Sequence, residues 1–253
     1  MNESKWRVTF RIFRKRSNER PYYDSFCIDV DPDEYILDAI ERLWAQHDRT
    51  LTFRHACHHS TCGACGMRVN GREKLTCITT IRSMTKDGGV VKVEPMRNFP
   101  IISDLVVDMG DLFSKMDRTR FDSVAPLDDA CLPYEKPRLA AHSNVQEAER
   151  LVDCIECGLC ISACPSSSTD NEYVGPAVLA AIHLMYNQEP AQTLLDLADH
   201  HTGLWRCHSA YECTYVCPSG VDPAWRIMDM RKKVIRNRLK SVFSRSSKEK
   251  SDE

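Results

Sequence analysis

Long apolar runs are missing from this 253-residue chain. Crossing a bilayer takes about 18 to 20 consecutive apolar residues. The most apolar stretch, Val174 to Tyr186, is too short, so the chain is expected to be soluble or peripheral through a partner. Its opening, MNESKWRVTFRIFRKR, is polar and basic and lacks the apolar centre of a secretory signal, which makes a reducing compartment the expectation. Nucleotide-binding signatures are missing as well: there is no G-x-G-x-x-G, no P-loop, and no Ser/His/Asp arrangement for nucleophilic catalysis. A net charge of −2 argues against nucleic acid as a partner, although Arg231 to Lys240 reads RKKVIRNRLK, the pattern of a solvated helix end. Nothing in the chain binds a flavin or nicotinamide recognisably, so any catalytic residues for a small organic substrate are expected on another polypeptide.

Cysteine is what the chain has in excess, with thirteen. In a reducing compartment clustered cysteines bind metal more often than they form disulfides. The length and 42% apolar content allow two small domains whose cores such metal helps to hold.

Two patterns divide the chain. Trp6, Val8, Phe10 and Ile12 alternate with polar residues as in a half-buried strand, and Tyr22 to Val30 makes a second strand. Pro32, Asp33 and Glu34 open a helix with Ile36, Leu37, Ile40, Leu43 and Trp44 at helical spacing. Asn70-Gly71 marks a hairpin between Gly66 to Val69 and Lys74 to Thr79, and a last strand is expected at Val90 to Val93. Strands, a helix and strands again give an α+β domain over residues 1–100. A helical domain follows over residues 101–240, with helices expected at Leu105 to Met116, Gln146 to Asp153, Val178 to Tyr186 and Ala191 to His200, and an irregular stretch at Arg118 to Lys136. Residues 241–253 read as a polar, disordered tail.

Cys57, Cys62, Cys65 and Cys77 form C-x4-C-x2-C-x11-C, the plant-type [2Fe-2S] spacing. Cys154, Cys157, Cys160 and Cys164, followed by Pro165, form the bacterial run C-x2-C-x2-C-x3-C-P, in which the fourth cysteine crosses to a second cluster. The matching downstream run has Cys207, Cys213, Cys217 and Pro218, but Ala210 stands where its second cysteine belongs. The crossing rule assigns Cys154, Cys157, Cys160 and Cys217 to a [4Fe-4S] cluster and leaves Cys164, Cys207 and Cys213 for a [3Fe-4S] cluster, because alanine cannot bind a fourth iron. A four-iron cluster with water or a side chain such as His208 on the open iron is the alternative. A zinc scaffold using the same cysteines predicts a colourless protein, and zinc gives no reason for a four, four and three division.

With these eleven cysteines in order, the chain resembles the iron–sulfur subunits of succinate dehydrogenase and fumarate reductase over residues 6–235. The stretches KDGGVVKVEPMRNFPIISDLVVDM, CIECGLCISACP and RCHSAYECTYVCPSGVDP carry the likeness. The resemblance implies a β-grasp ferredoxin domain followed by an α-helical ferredoxin domain. It also implies an FAD-carrying flavoprotein subunit, a membrane-anchor subunit and quinone as electron partner, and the lack of a targeting segment favours the cytoplasmic face of the membrane. It puts Pro165 and His208 beside quinone. A tryptophan usual in the family shortly after Cys164-Pro165 is replaced by Ser166, Ser167, Ser168 and Thr169, which keeps open a relative whose last carrier is not quinone, such as a thiol-dependent fumarate reductase. Cys27 and Cys131 fit no ligand spacing and read as free thiols. His58 and His59 read as exposed polar residues, and Trp205, Tyr211 and Tyr215 as core packing.

Overall fold

The computed structural model describes residues 5–16, 19–119, 154–188 and 192–249. Cys131, the helix expected at Gln146 to Asp153 and nearly all of the irregular stretch lie outside them.

β1 (Trp6–Arg14) and β2 (Tyr22–Val30) pair antiparallel, Trp6 opposite Val30. After α1 (Ile36–Gln46) come β3 (Gly66–Val69), β4 (Arg72–Leu75), a 3-10 turn at Thr76–Ile78, α2 (Ile81–Met84) and β5 (Val90–Glu94). The sheet order is β2-β1-β5-β3-β4, and β5 runs parallel to β1. Alternation decides which face is buried: Val8, Phe10 and Ile12 are wholly inaccessible and meet Ile36, Ile40 and Leu43 from α1. Each such side chain contributes about 1.5–3 kcal/mol on burial. Asn70 at φ 49° and Gly71 at φ 82° make the β3–β4 turn, both in the left-handed region that a type I′ turn requires.

The sequence places one helix over Leu105 to Met116, and the structure corrects this. Ile101–Ser103 (β6) and Val106–Val107 (β7) form a small hairpin, and only Gly110–Asp117 (α3) is helical. Asp104 is the cause. With φ 45° it turns the chain, and its fully buried carboxylate accepts from the backbone N–H groups of Lys15 and Thr52, each at 3.0 Å. The buried Arg14 guanidinium closes the knot, with Nε 3.2 Å from Asp104 and Nη1 on Asp24 and Asp48. Through Leu105 the hairpin joins the core of the first sheet, so residues 101–107 pack with the sheet although they follow position 100.

The second half contains α4 (Leu159–Ala163), α5 (Pro165–Thr169), α6 (Pro176–Gln188), α7 (Gln192–Ala198), a 3-10 turn at Leu204–Arg206, α8 (Glu212–Tyr215) and α9 (Pro223–Glu249). Val178, Leu179 and Ile182 from α6 pack with Leu204 and with Ile227 and Met230 of α9. A second correction concerns residues 241–253: the backbone of α9 stays helical to Glu249. After Pro223 the helix meets no further proline and no glycine, and Arg, Lys, Leu and Ser sustain the helical period.

Candidate iron–sulfur centres

The first centre is a loop between α1 and β3. His58, Ser60 and Gly63 have φ of 59°, 61° and 71°, and this succession of left-handed residues turns N–H groups inward to form an anion-binding nest. The N–H groups of His59 and Thr61 point at Cys57 Sγ from 3.4 and 3.3 Å, and that of Ser60 at Cys77 Sγ from 3.3 Å. Cys77 arrives on the 3-10 turn after β4, where Thr76 donates its hydroxyl to the Cys65 carbonyl at 3.0 Å. Backbone donors, His59 first, hold the Cys57 thiol down to about 6, whereas burial and then Cys65 push Cys77 up to about 11. Thiols gathered with N–H groups aimed at their sulfurs fit a cluster whose sulfur charge needs such donors.

Seven cysteines of the ferredoxin-type runs lie close together in the second half, and Cys160 feels Cys157, Cys154, Cys213 and Cys217 in turn. Cys154, Cys157, Cys160 and Cys217 border one narrow cavity. Burial raises all of the first three thiols, Cys157 to about 12, and each also feels the Cys217 charge. Glu156 and Gly158, at φ 51° and 75°, curl the loop round its own sulfurs. Burial raises Cys213 to about 12, with Cys164 and then Cys207 adding to it. Ala210 is exposed between left-handed Ser209 (φ 57°) and Tyr211 (φ 62°). Arg231 of α9 holds the segment by donating to the carbonyls of Leu204 and Cys207, so this first residue of the basic run is tucked against the protein rather than solvated.

The loops of the first two centres touch. A Cβ placed on Gly63 would lie 2.8 Å from Cys157 Cβ and 2.9 Å from its Cα. The junction is apolar around this contact, where Cys65, Cys77, Leu37, Leu75, Met96 and Val107 pack with Leu159 of α4. Polar clamps frame it. Buried Glu73 accepts from Ser162 Oγ at 3.0 Å, and Asn98 donates its amide to the carbonyls of Ile161, Ser162 and Cys164 at 2.7, 3.2 and 3.1 Å.

Pro165 is exposed and lines a cavity of ≈ 950 Å³ together with Cys164, Ala210 and Tyr215. His208 is also exposed but lies outside that lining, with its N–H donating to Ser166 Oγ at 3.4 Å. Trp205, Tyr211 and Tyr215, expected in the core, are instead 41%, 52% and 71% exposed. Ser209 and Tyr211 have left-handed backbone, and the Trp205 indole donates to Asp199 at the surface. Cys27 is an exposed thiol on β2, accepting from Arg7 Nε at 3.4 Å. One residue has no signal in the sequence: Tyr173, nine positions after Cys164, is 3% exposed, and its phenol is raised by burial and then by Cys207, Cys164 and Cys213.

A β-grasp domain and an α-helical domain, each carrying ferredoxin-type cysteine runs, define a multi-centre iron–sulfur protein. Family models agree with that class: a 2Fe-2S iron-sulfur cluster binding domain matches residues 9–114 and a 4Fe-4S dicluster domain matches residues 150–221. The fumarate reductase iron-sulfur subunit of Mycobacterium tuberculosis is 32% identical over 248 residues, covering 91% of this chain and 93% of that protein. The Haemophilus influenzae subunit of the same name is 30% identical, over 82% of this chain and 84% of the relative. A chain in the solved Mycobacterium smegmatis Sdh1 complex superposes with a TM-score of 0.78 at 25% identity, over 93% of this chain and 98% of that one. The chain belongs to the succinate dehydrogenase/fumarate reductase iron–sulfur subunit family.

Proposed function

We propose that this chain relays single electrons between an FAD-carrying flavoprotein subunit and quinone at a membrane-anchor subunit. The proposed ligands are Cys57, Cys62, Cys65 and Cys77 for [2Fe-2S], Cys154, Cys157, Cys160 and Cys217 for [4Fe-4S], and Cys164, Cys207 and Cys213 for [3Fe-4S]. Bound there, the clusters supply one-electron redox centres tuned by burial and hydrogen bonding.

The observation that supports this reading is that Cys154, Cys157, Cys160 and Cys217 border one cavity while Cys164, Cys207 and Cys213 all act on buried Tyr173, and the sequence has Ala210 where a fourth thiol of that set would stand. The chain's own residues do the rest. The His59, Ser60 and Thr61 N–H groups stabilise charge on the first centre, and apolar residues such as Ala177, Ala180 and Val221 line the second. Gly63 removes the side chain that would hold these two apart. At the third centre the cavity beside Pro165 supports a quinone headgroup, and the exposed Trp205, Tyr211 and Tyr215 support an anchor subunit on that face. Among the described residues no helix is long and apolar enough to cross a membrane, so membrane attachment at the cytoplasmic face runs through that partner.

Electron paramagnetic resonance on protein purified without oxygen tests the assignment. A three-iron signal in the oxidised sample and a [2Fe-2S] signal on reduction are expected. Iron sufficient for two four-iron clusters, with no oxidised signal, would overturn it. Succinate-dependent quinone reduction by the isolated complex checks the last carrier, and electron delivery only to a soluble thiol couple would rule quinone out.

A further inference from the structure

Beside the first-centre loop lies a group of side chains that the electron relay does not use. Glu41 projects from α1, and His55 and His58 flank Cys57. Their three donor atoms form a nearly equilateral triangle. His55 Nδ1 is 2.9 Å from Glu41 Oε1, His58 Nε2 is 3.1 Å from the same oxygen, and the two ring nitrogens are 3.2 Å apart. A tetrahedral zinc ion with ligands at about 2.0–2.1 Å has ligand–ligand edges of about 3.3 Å. The triangle therefore matches one face of such a polyhedron to within a few tenths of an ångström.

Hydrogen bonding alone explains the arrangement poorly. One proton shared between the rings satisfies the histidine pair, yet Glu41 Oε1 is shut off from solvent and accepts no hydrogen bond of good geometry, although both ring nitrogens are close. Three donor atoms this close together, one of them a buried carboxylate oxygen without a hydrogen-bond partner, are an arrangement a cation can complete. Neighbouring residues hold the ligands in place. His55 stacks on Phe53, with ring centroids 5.2 Å apart and planes at 22°. His58 is turned back by its left-handed backbone, φ 59°, with Asp38 Oδ1 3.9 Å from its other nitrogen, too far for a hydrogen bond.

We propose that Glu41, His55 and His58 bind a divalent transition metal of the zinc class, with water completing the shell at the exposed side. Two imidazoles and one carboxylate are a donor set that zinc accepts and that calcium or magnesium does not favour. The ion links α1 to the first-centre loop and is separate from the iron ligands.

The test uses the intact, cluster-loaded protein, equilibrated with zinc and then desalted. Metal analysis is expected to find one zinc per chain in addition to undiminished iron. That zinc should be lost in Glu41→Gln and in His55→Gln, variants that leave every cysteine in place. X-ray absorption at the zinc edge should show nitrogen and oxygen neighbours at about 2.0–2.1 Å. A sulfur shell at about 2.3 Å, meaning zinc in a cysteine site, would overturn the proposal. So would zinc retained equally by both variants, or no stoichiometric zinc in the parent protein.

Discussion

Gly63→Ala tests the contact between the first two centres. The added methyl carbon meets Cys157 Cβ at 2.8 Å and Cα at 2.9 Å, where ordinary contacts begin near 3.4 Å, and neither atom can rotate away. At φ 71° an L-residue also pays roughly 1–2 kcal/mol for the left-handed region. Overpacking a junction of this kind costs about 1–3 kcal/mol, so the two effects together come to about 2–5 kcal/mol. Either the junction opens by several tenths of an ångström or the first-centre loop refolds. The assay has two readouts, the temperature at which the visible iron–sulfur absorbance bleaches and the rate at which electrons entering at the first centre reach the second. Both are expected to fall, the rate because electron transfer weakens steeply with separation. An alanine variant with parental thermal bleaching and parental transfer rate would refute the argument that these loops are in backbone contact.

Three further outcomes follow from the geometry. Ala210→Cys supplies the missing thiolate, so the oxidised three-iron resonance should disappear while iron per chain rises; persistence of that resonance would mean that position 210 does not face the third centre. Asn98→Ala removes an amide shared by three carbonyls around α4 and is expected to cost about 1–3 kcal/mol for the stranded acceptors, read as earlier thermal bleaching, with unchanged bleaching as the contrary result. Asp48, held down to about 2 from an ordinary 3.8 first by the Thr50 hydroxyl and then by Arg14, contributes stability that is present above pH 3.8 and lost as pH falls through about 2. The advantage of the parent over Asp48→Asn in urea melts of the sheet domain's tryptophan signal should therefore be constant near neutrality and shrink across that acid window; an advantage that is flat to pH 2 would contradict it.

Most of the first domain was legible because its signals are local. Alternation at Trp6 to Ile12, the Asn70-Gly71 turn and the helical spacing of Ile36, Leu37, Ile40 and Leu43 each act within a few residues, and β2 falls at the residues expected. The segment after Ile101 was misread because Leu105, Val106, Met109, Leu112 and Met116 do share a helical period. A buried ion-pair knot at Asp104, whose partners lie at positions 14, 15 and 52, overrides that period. The aromatics near the third centre were misread for a related reason. Hydrophobicity favours burial, but Trp205 reaches Asp199 at the surface and the backbone at Ser209 and Tyr211 is left-handed, and neither of those two is a glycine that would announce it. Cysteine spacing named the candidate ligands, whereas Tyr173, Gly63 against Cys157, and the Glu41, His55, His58 triangle all depend on residues brought together from distant parts of the chain.

The junction also indicates what sets the distance between centres. The segment joining the domains is tied down at Arg97, whose N–H donates to Ser162 Oγ at 2.9 Å, and at Asn98. The apolar cluster behind it draws Leu37 and Leu75 from one domain and Leu159 from the other, each 2% exposed or less. Cys65 and Cys77 belong to that same cluster, so residues that hold the first centre also form part of the wall against which the second domain packs. A separation fixed by shared packing resists change because protein interiors are close-packed and barely compressible. Substitutions at the packed junction should therefore disturb electron transfer more than substitutions in the exposed turns on either side of it.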